Sequence, residues 1–210
     1  MKKTFLFIGI FLLILNAYGQ NSQIEFGVKG GINYSSFADN NDEDIPVDYK
    51  AKIGYHLGGF VEFMFNEKLS IRPEFIYSKQ GSNFTINGEN LNIVTPIGSN
   101  FFITSIDGEI NESLLLLPII IEYSFNKKIN LELGPQLGYS LNRDVEFDDN
   151  PLGGGFIKNS DDEKFELGLA LGVGYHVSNN AIISLRYNYG VIERHNLNTS
   201  VIQLGMNYKI

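Results

Sequence analysis

Large apolar residues alternate with small or polar residues along much of the chain after residue 20. The clearest example spans residues 165–189 and is interrupted only by the turn Ser178-Asn179-Asn180. Because successive side chains of a β-strand point to opposite faces, this stretch predicts a hairpin with one apolar, tyrosine-rich face and one small, polar face. The apolar face is unbroken for about 12 residues, near the roughly 9–11 residues that a tilted strand needs to cross a bilayer. We therefore expect the apolar face to contact lipid.

Eight segments carry this alternation, at approximately 24–35, 52–65, 69–79, 113–125, 129–141, 165–177, 181–189 and 199–210. Short turns at 66–68, 126–128 and 178–180 join three pairs of them, two within the similar phrases FNEKLSI and FNKKINL. Longer polar segments join the others. The pattern predicts an all-β fold, an eight-stranded antiparallel up-and-down transmembrane β-barrel with short periplasmic turns and longer outer loops.

Two stretches depart from simple alternation. Residues 80–111 are long but contain several apolar residues, so we expect a hairpin that extends the barrel above the membrane. The run LLLLPIIIEY in the fourth segment is apolar on both faces. Since Pro118 lacks a backbone donor, a bulge or local bend is predicted there.

The amino terminus has the pattern of an export signal. Lys2 and Lys3 precede an apolar core at 5–15, and the small residues Ala17 and Gly19 follow it. This predicts a signal peptide at 1–19 and a mature barrel domain at 20–210, exported to the cell outer membrane. The mature chain would carry 14 basic and 24 acidic residues, a net charge of −10 that gives no electrostatic basis for nucleic-acid binding. The chain has no cysteine, so disulfides and thiolate sites are excluded.

The polar positions of the eight segments define a predicted polar network in the lumen. Its members are Glu25, Lys29, Glu62, Arg72, Glu74, Glu122, Glu132, Glu166, Arg186 and Gln203. An eight-stranded barrel is just wide enough for side chains to fill it, so charges inside must be paired. We expect a structural role rather than a proton or ion path. Six carboxylates against three cations leave an imbalance, so some glutamates would be protonated, lie near a mouth or not face the lumen.

No catalytic, cofactor-binding or metal site is predicted. The topology separates His56, His176 and His195, although His56 with a nearby serine would imitate the sites of outer-membrane lipid A deacylases and acyltransferases. The acidic segment 39–44 fails the EF-hand pattern, because Asp44 and Lys50 stand where glycine and glutamate are required. Weak binding of divalent ions at the cell surface stays open for that segment.

Several phrases together resemble a known family. They are FGVKGGINYSSF, KIGYHLGGFVEFMFNEKLSIRPEFIYSKQG, LELGPQLGYSL, FELGLALGVGYHV and LRYNYG. The chain is similar, over roughly residues 26–210, to the PorT-like outer-membrane β-barrel domain family of Bacteroidetes. The resemblance implies an eight-stranded barrel in the envelope of a Gram-negative cell. The resemblance assigns no catalytic residue to this chain. The protein after which the family is named takes part in protein secretion, but that role does not follow for every relative.

Three hypotheses remain. The first is a small non-enzymatic outer-membrane barrel with a structural or surface-interaction role through its outer loops. It would be a monomer whose partners are outer-membrane lipid and lipopolysaccharide, with other envelope proteins as further candidates. The second is a soluble, secreted lipocalin-like barrel, which would turn the apolar face inward around a lipid. The third is an accessory component of a protein secretion machinery, which differs from the first only in its partners.

Overall fold

The computed structural model of the protein describes residues 23–39, 47–94, 100–147, 157–158, 163–194 and 197–210. Its strands are β1 (Gln23–Asp39), β2 (Val47–Met64), β3 (Leu69–Val94), β4 (Asn100–Ser124), β5 (Ile129–Phe147), β6 (Ile157–Lys158), β7 (Phe165–His176), β8 (Ala181–Gly190) and β9 (Leu197–Lys209). Within these ranges, no helix is long and apolar enough to cross a membrane.

Eight of the strands form a closed antiparallel ring. The order around the sheet is β4-β3-β2-β1-β9-β8-β7-β5, and β4 also pairs with β5. The amino- and carboxy-terminal strands lie side by side through the β1–β9 pairing, which includes Gly31 opposite Gly205. The two-residue β6 pairs only with the outer part of β5 among the described strands. The predicted eight-stranded barrel is confirmed.

Three short turns connect the strands at the inner end, and two of them have the same design. In the first, the Asn66 side-chain oxygen accepts hydrogen bonds from the backbone of Lys68 and Leu69, at 2.9 and 3.0 Å. Asn126 does the same in the second turn, at 2.8 and 2.9 Å. Ser178 takes this position in the third, with longer bonds. A side-chain acceptor that satisfies turn amides is the usual reason for asparagine and serine there.

β3 and β4 continue well beyond the predicted segments 69–79 and 113–125. They pair with each other as far as Val94 opposite Asn100. Among the described residues, their pairing with the neighbouring strands reaches only Ile86 on β3 and Gly108 on β4. In the described part of the chain, β3 and β4 therefore continue beyond the ring as a two-stranded ribbon, which confirms the expected hairpin extension.

A bulge or a local bend was predicted at Pro118, and the bulge is wrong. Pro73 pairs with Ile119 and Ile76 with Leu116, so the register of β3 against β4 is the same on both sides of Pro118. The missing donor of Pro118 is accommodated by a local gap in the pairing rather than by an inserted residue. Register shifts lie elsewhere, at Ala51/Tyr55 between β2 and β3 and at Ser113/Leu114 between β4 and β5.

The two faces of the ring differ as the alternation predicts. Large apolar side chains point outward and are exposed, among them Ile53 at 73%, Leu171 at 60% and Phe75 at 57%. Most buried positions are polar or charged and point inward. The apolar run in β4 divides between the faces, since Leu114, Leu116 and Ile120 are buried inside the barrel. This distribution excludes the lipocalin-like hypothesis, which requires an apolar interior.

Candidate functional site: the filled lumen and the outer rim

Six charged side chains meet at the middle of the lumen: Lys29, Arg72, Glu74, Glu122, Glu132 and Arg186. Arg186 donates from Nη1 and Nη2 to the two carboxylate oxygens of Glu74, at 2.7 and 2.9 Å. It also donates to Glu132 from Nε at 2.9 Å and from Nη2 at 2.6 Å. Lys29 lies 3.3 Å from the same Glu74 carboxylate.

Arg72 connects the rest of this central cluster. Its guanidinium donates to Glu74 at 3.0 Å, to Glu132 at 2.5 Å and to Glu122. Asn130 also donates to Glu122. Three cations therefore face three carboxylates, and all six side chains are nearly inaccessible to solvent. A buried charge is costly unless it is paired and hydrogen-bonded, and both conditions are met here.

A second, smaller cluster occupies the inner end of the lumen. Lys209 lies 2.8 Å from both Glu25 and Glu62. The Ser70 hydroxyl donates to the other oxygen of Glu62 at 2.8 Å. Lys209 has the same strand parity as Gln203, so extending the alternation to the last residues would have found it.

A third cluster occupies the outer end, where Arg194 folds back from the β8–β9 connection. Arg194 donates to both oxygens of Glu112, one at 2.9 Å, and to Glu166 at 2.7 Å. Thr199 donates to the same Glu166 oxygen at 2.8 Å. The alternation of strands says nothing about a connecting segment, so the sequence carried no signal for Arg194.

Apolar side chains cover this outer cluster. Phe37, Phe84, Ile110 and Leu197 form a buried group, with Val145 and Phe147 packed against it. The Arg143 guanidinium lies over the Phe37 ring, 5.2 Å from its centroid. Burial lowers the pKa of Arg143 from its ordinary value. The lumen is thus filled from the inner turns to the base of the outer ribbon.

The structure brings most of the ten predicted lumen residues together. Nine are buried on the inward face, and Glu25 is partly exposed at the inner end. Gln203 is buried, but its side-chain atoms have no hydrogen-bond partner among the described residues. Sequence reasoning missed four inward residues, namely Glu112, Arg143, Arg194 and Lys209. Three of these are cations, and their omission explains most of the apparent excess of carboxylates. With them the lumen carries seven carboxylates and six cations.

The two described histidines, His56 and His176, lie in different parts of the barrel. His56 points into the lumen near the middle of β2, with Nδ1 2.8 Å from the Asn33 side-chain oxygen. Asn33 in turn donates to Ser78 at 2.9 Å, so the serine contacts the amide rather than the imidazole. His56 and Ser78 are both buried. His176 ends β7 beside an inner turn as expected, and His195 lies outside the described residues.

No group of three or more metal-ligating side chains occurs among the described residues. The predicted acidic segment 39–44 falls almost wholly outside them.

A polar cluster marks the outward face of the barrel at its outer rim. Lys52 Nζ lies 2.6 Å from Glu109 and 2.7 Å from the Asn111 side-chain oxygen. Asn111 donates to the other Glu109 oxygen at 2.8 Å. The hydrogen bonds from Lys52 and Asn111 hold the pKa of Glu109 below its ordinary value. A depression of about 400 Å³ adjoins this cluster and includes Lys79 and Tyr55 in its lining.

A closed antiparallel ring with an apolar exterior and a charged, filled interior defines a small outer-membrane β-barrel. The chain belongs to the outer membrane protein β-barrel domain family, whose model matches residues 18–196. This membership places the protein in the outer membrane.

Solved structures show the same fold. Neisserial surface protein A superposes with a TM-score of 0.52 at 15% identity, covering 91% of this chain and 100% of that one. The attachment invasion locus protein Ail of Yersinia pestis superposes with a TM-score of 0.50 at 16% identity, covering 89% of this chain and 98% of that one. No curated protein sequence is significantly similar to this chain.

Proposed function

We propose that the protein is a closed, non-enzymatic outer-membrane barrel with a surface-interaction role carried by its outer segments. The observation that supports this most directly is the contrast between the filled lumen and the long β3–β4 ribbon. Three layers of paired charges and an apolar cover fill the lumen in the described part of the chain. The ribbon extends beyond the ring, and its residues 105 and 107 on β4 are exposed.

The same proposal includes membership of the PorT-like family and cleavage of a signal peptide. The glycine–aromatic phrases support a place in the PorT-like family, and the basic start and apolar core support removal of residues 1–19. Sequencing the amino terminus of the mature protein tests the second assignment, with Gln20 as the expected first residue. The ten inward residues are proposed to have a structural role.

Two measurements on the full mature barrel test the main proposal. In planar bilayers we expect no conductance steps, because the central cluster has no free passage for ions. In living cells, a photo-crosslinking residue placed in the ribbon at position 105, which is exposed on β4, should label another envelope or external macromolecule. The same residue at position 127, in an inner turn, is the matched control.

Two outcomes would count against the proposal. Stable conductance steps would show an open lumen. Crosslinks from position 127 but none from position 105 would place the interacting surface on the periplasmic side.

A further inference from the structure

The depression at the outer rim lies on the lipid-facing side of β2, β3 and β4. It is lined by Lys52, Ile53, Gly54, Tyr55, Lys79, Gln80, Glu109 and Asn111. Its origin is the register shift between Ala51 and Tyr55, where β2 has one residue more than β3. A bulge of this kind changes the direction of nearby side chains, and here the Lys52 side chain reaches Glu109 on β4 while Ile53 beside it stays 73% exposed.

Tyrosines fix the height of this depression relative to the membrane. Tyr55 and Tyr77 pack with their ring centroids 6.2 Å apart, and the Tyr77 hydroxyl contacts Ser113 at 3.1 Å. Tyrosine rings of this kind collect at the boundary between hydrocarbon and headgroups. Lys79 follows Tyr77 by two residues, so it lies about 7 Å further out along the strand. Lys79 is also the strand partner of Tyr55, so it lies at the outer edge of the boundary that the two rings mark, next to the lipid headgroups.

The charges of the depression favour an anion. Lys52 is already bound to Glu109, whereas Lys79 is exposed and has no ion pair among the described residues. Two ammonium groups and one carboxylate leave a net positive charge on a protein that is strongly acidic as a whole. The corresponding outward positions on β5 are Asn142 and Asp144, which bond to each other and offer no cation.

We propose that this depression binds the phosphate of an outer-leaflet lipid headgroup. Lys79 contacts the phosphate directly, and Lys52 is shared between the phosphate and Glu109. Leu57 and the Tyr77 ring lie opposite each other one step closer to the inner end of the barrel, and Leu57 is 63% exposed, so the apolar part of the same lipid continues over them. These apolar side chains favour a lipid over free phosphate. The inference rests on the outer-membrane location of the protein and specifies one of the partners expected for it.

The test uses the full mature barrel in maltoside micelles, which contain no phosphate. Purified lipid A, the same lipid after enzymatic dephosphorylation, and inorganic phosphate are added separately, and bound molecules are measured by native mass spectrometry. We expect binding of lipid A to exceed that of its dephosphorylated form. Lys79→Gln should weaken lipid A binding about fivefold, the effect expected for one lysine near an anionic surface.

Glu109→Gln provides the most specific comparison, because it should have the opposite effect. It removes a competing carboxylate and releases Lys52, so lipid A should bind more tightly than to the unmodified barrel. Lys128→Gln, in an exposed inner turn, removes the same charge as Lys79→Gln and should leave binding unchanged. Heat-dependent gel mobility confirms that each variant is folded.

The proposal fails if both forms of lipid A bind equally, or if Lys79→Gln binds like Lys128→Gln. Weaker binding by Glu109→Gln would also contradict it. Binding of inorganic phosphate with the same dependence on Lys79 would identify a general anion site and overturn the assignment to lipid. None of these results affects the conductance and crosslinking measurements, so this inference and the proposed function can fail separately.

Discussion

The substitution Arg186→Met provides a direct test of the lumen network. Arg186 is 1% exposed and donates four hydrogen bonds, two to Glu74 and two to Glu132. Methionine retains much of the length of the side chain but carries no charge. The central cluster would change from three cations and three carboxylates to a net charge of −1, within a space that water does not reach.

The loss of stability in Arg186→Met depends on the ion pairs that Glu74 and Glu132 keep. Glu74 keeps Lys29 at 3.3 Å and Arg72 at 3.0 Å, and Glu132 keeps Arg72 at 2.5 Å. Removing one partner of a buried ion pair costs about 3–5 kcal/mol. Because neither carboxylate loses every cation, we expect the lower end, about 3 kcal/mol. Adding Glu74→Gln restores neutrality, so the double variant should be more stable than the sum of the single effects by about 1–3 kcal/mol.

The free energy of unfolding is measured in lipid vesicles by urea titration. Far-ultraviolet circular dichroism and tyrosine fluorescence report the transition, since the chain has 11 tyrosines and no tryptophan. Lys68→Met, in an exposed inner turn, is the matched control and should change the stability by less than about 0.5 kcal/mol. A value for Arg186→Met within that same range, or a double variant as unstable as the sum, would refute the reasoning.

Three further predictions concern backbone geometry and titration. A Cβ at Gly54 would lie 2.0 Å from a neighbouring backbone oxygen, whereas at Gly59 the nearest atom is 3.4 Å away. Gly54→Ala should therefore destabilise the barrel by about 1–3 kcal/mol in the same urea titration, and an equal loss for Gly59→Ala would contradict this. Asn66→Ala and Asn126→Ala each remove two turn hydrogen bonds and should each cost about 1 kcal/mol; unchanged urea midpoints would show that these bonds contribute nothing. The carboxyl carbon shift of Glu109 should titrate below 4.5, so its ion pair persists above that pH and is lost as the pH falls through the lowered pKa; a midpoint at or above 4.5 would argue against the contact.

Alternation along the chain was sufficient to predict the ring, because each strand places one residue in lipid and the next in the lumen. It also assigned Arg72, Glu132 and Arg186 to the inward face. It did not predict which residues would pair, because that depends on the register between strands distant in sequence. Arg194 was missed because it lies in a connection, where side chains follow no fixed period. The bulge at Pro118 was wrongly predicted, because a local gap in strand pairing accommodates the missing backbone N–H as well as a bulge does.

The central cluster has a consequence for how the barrel assembles. Arg186 and Glu74 are 112 residues apart in the sequence, and the cluster draws its side chains from β1, β3, β4, β5 and β8. A partly assembled sheet would present unpaired arginines and glutamates inside a bilayer, where such charges are costly. Joining β1 to β9 closes the ring and neutralises these charges at the same stage. We therefore expect membrane insertion and ring closure to be coupled, because an incomplete barrel would expose these charges to the bilayer.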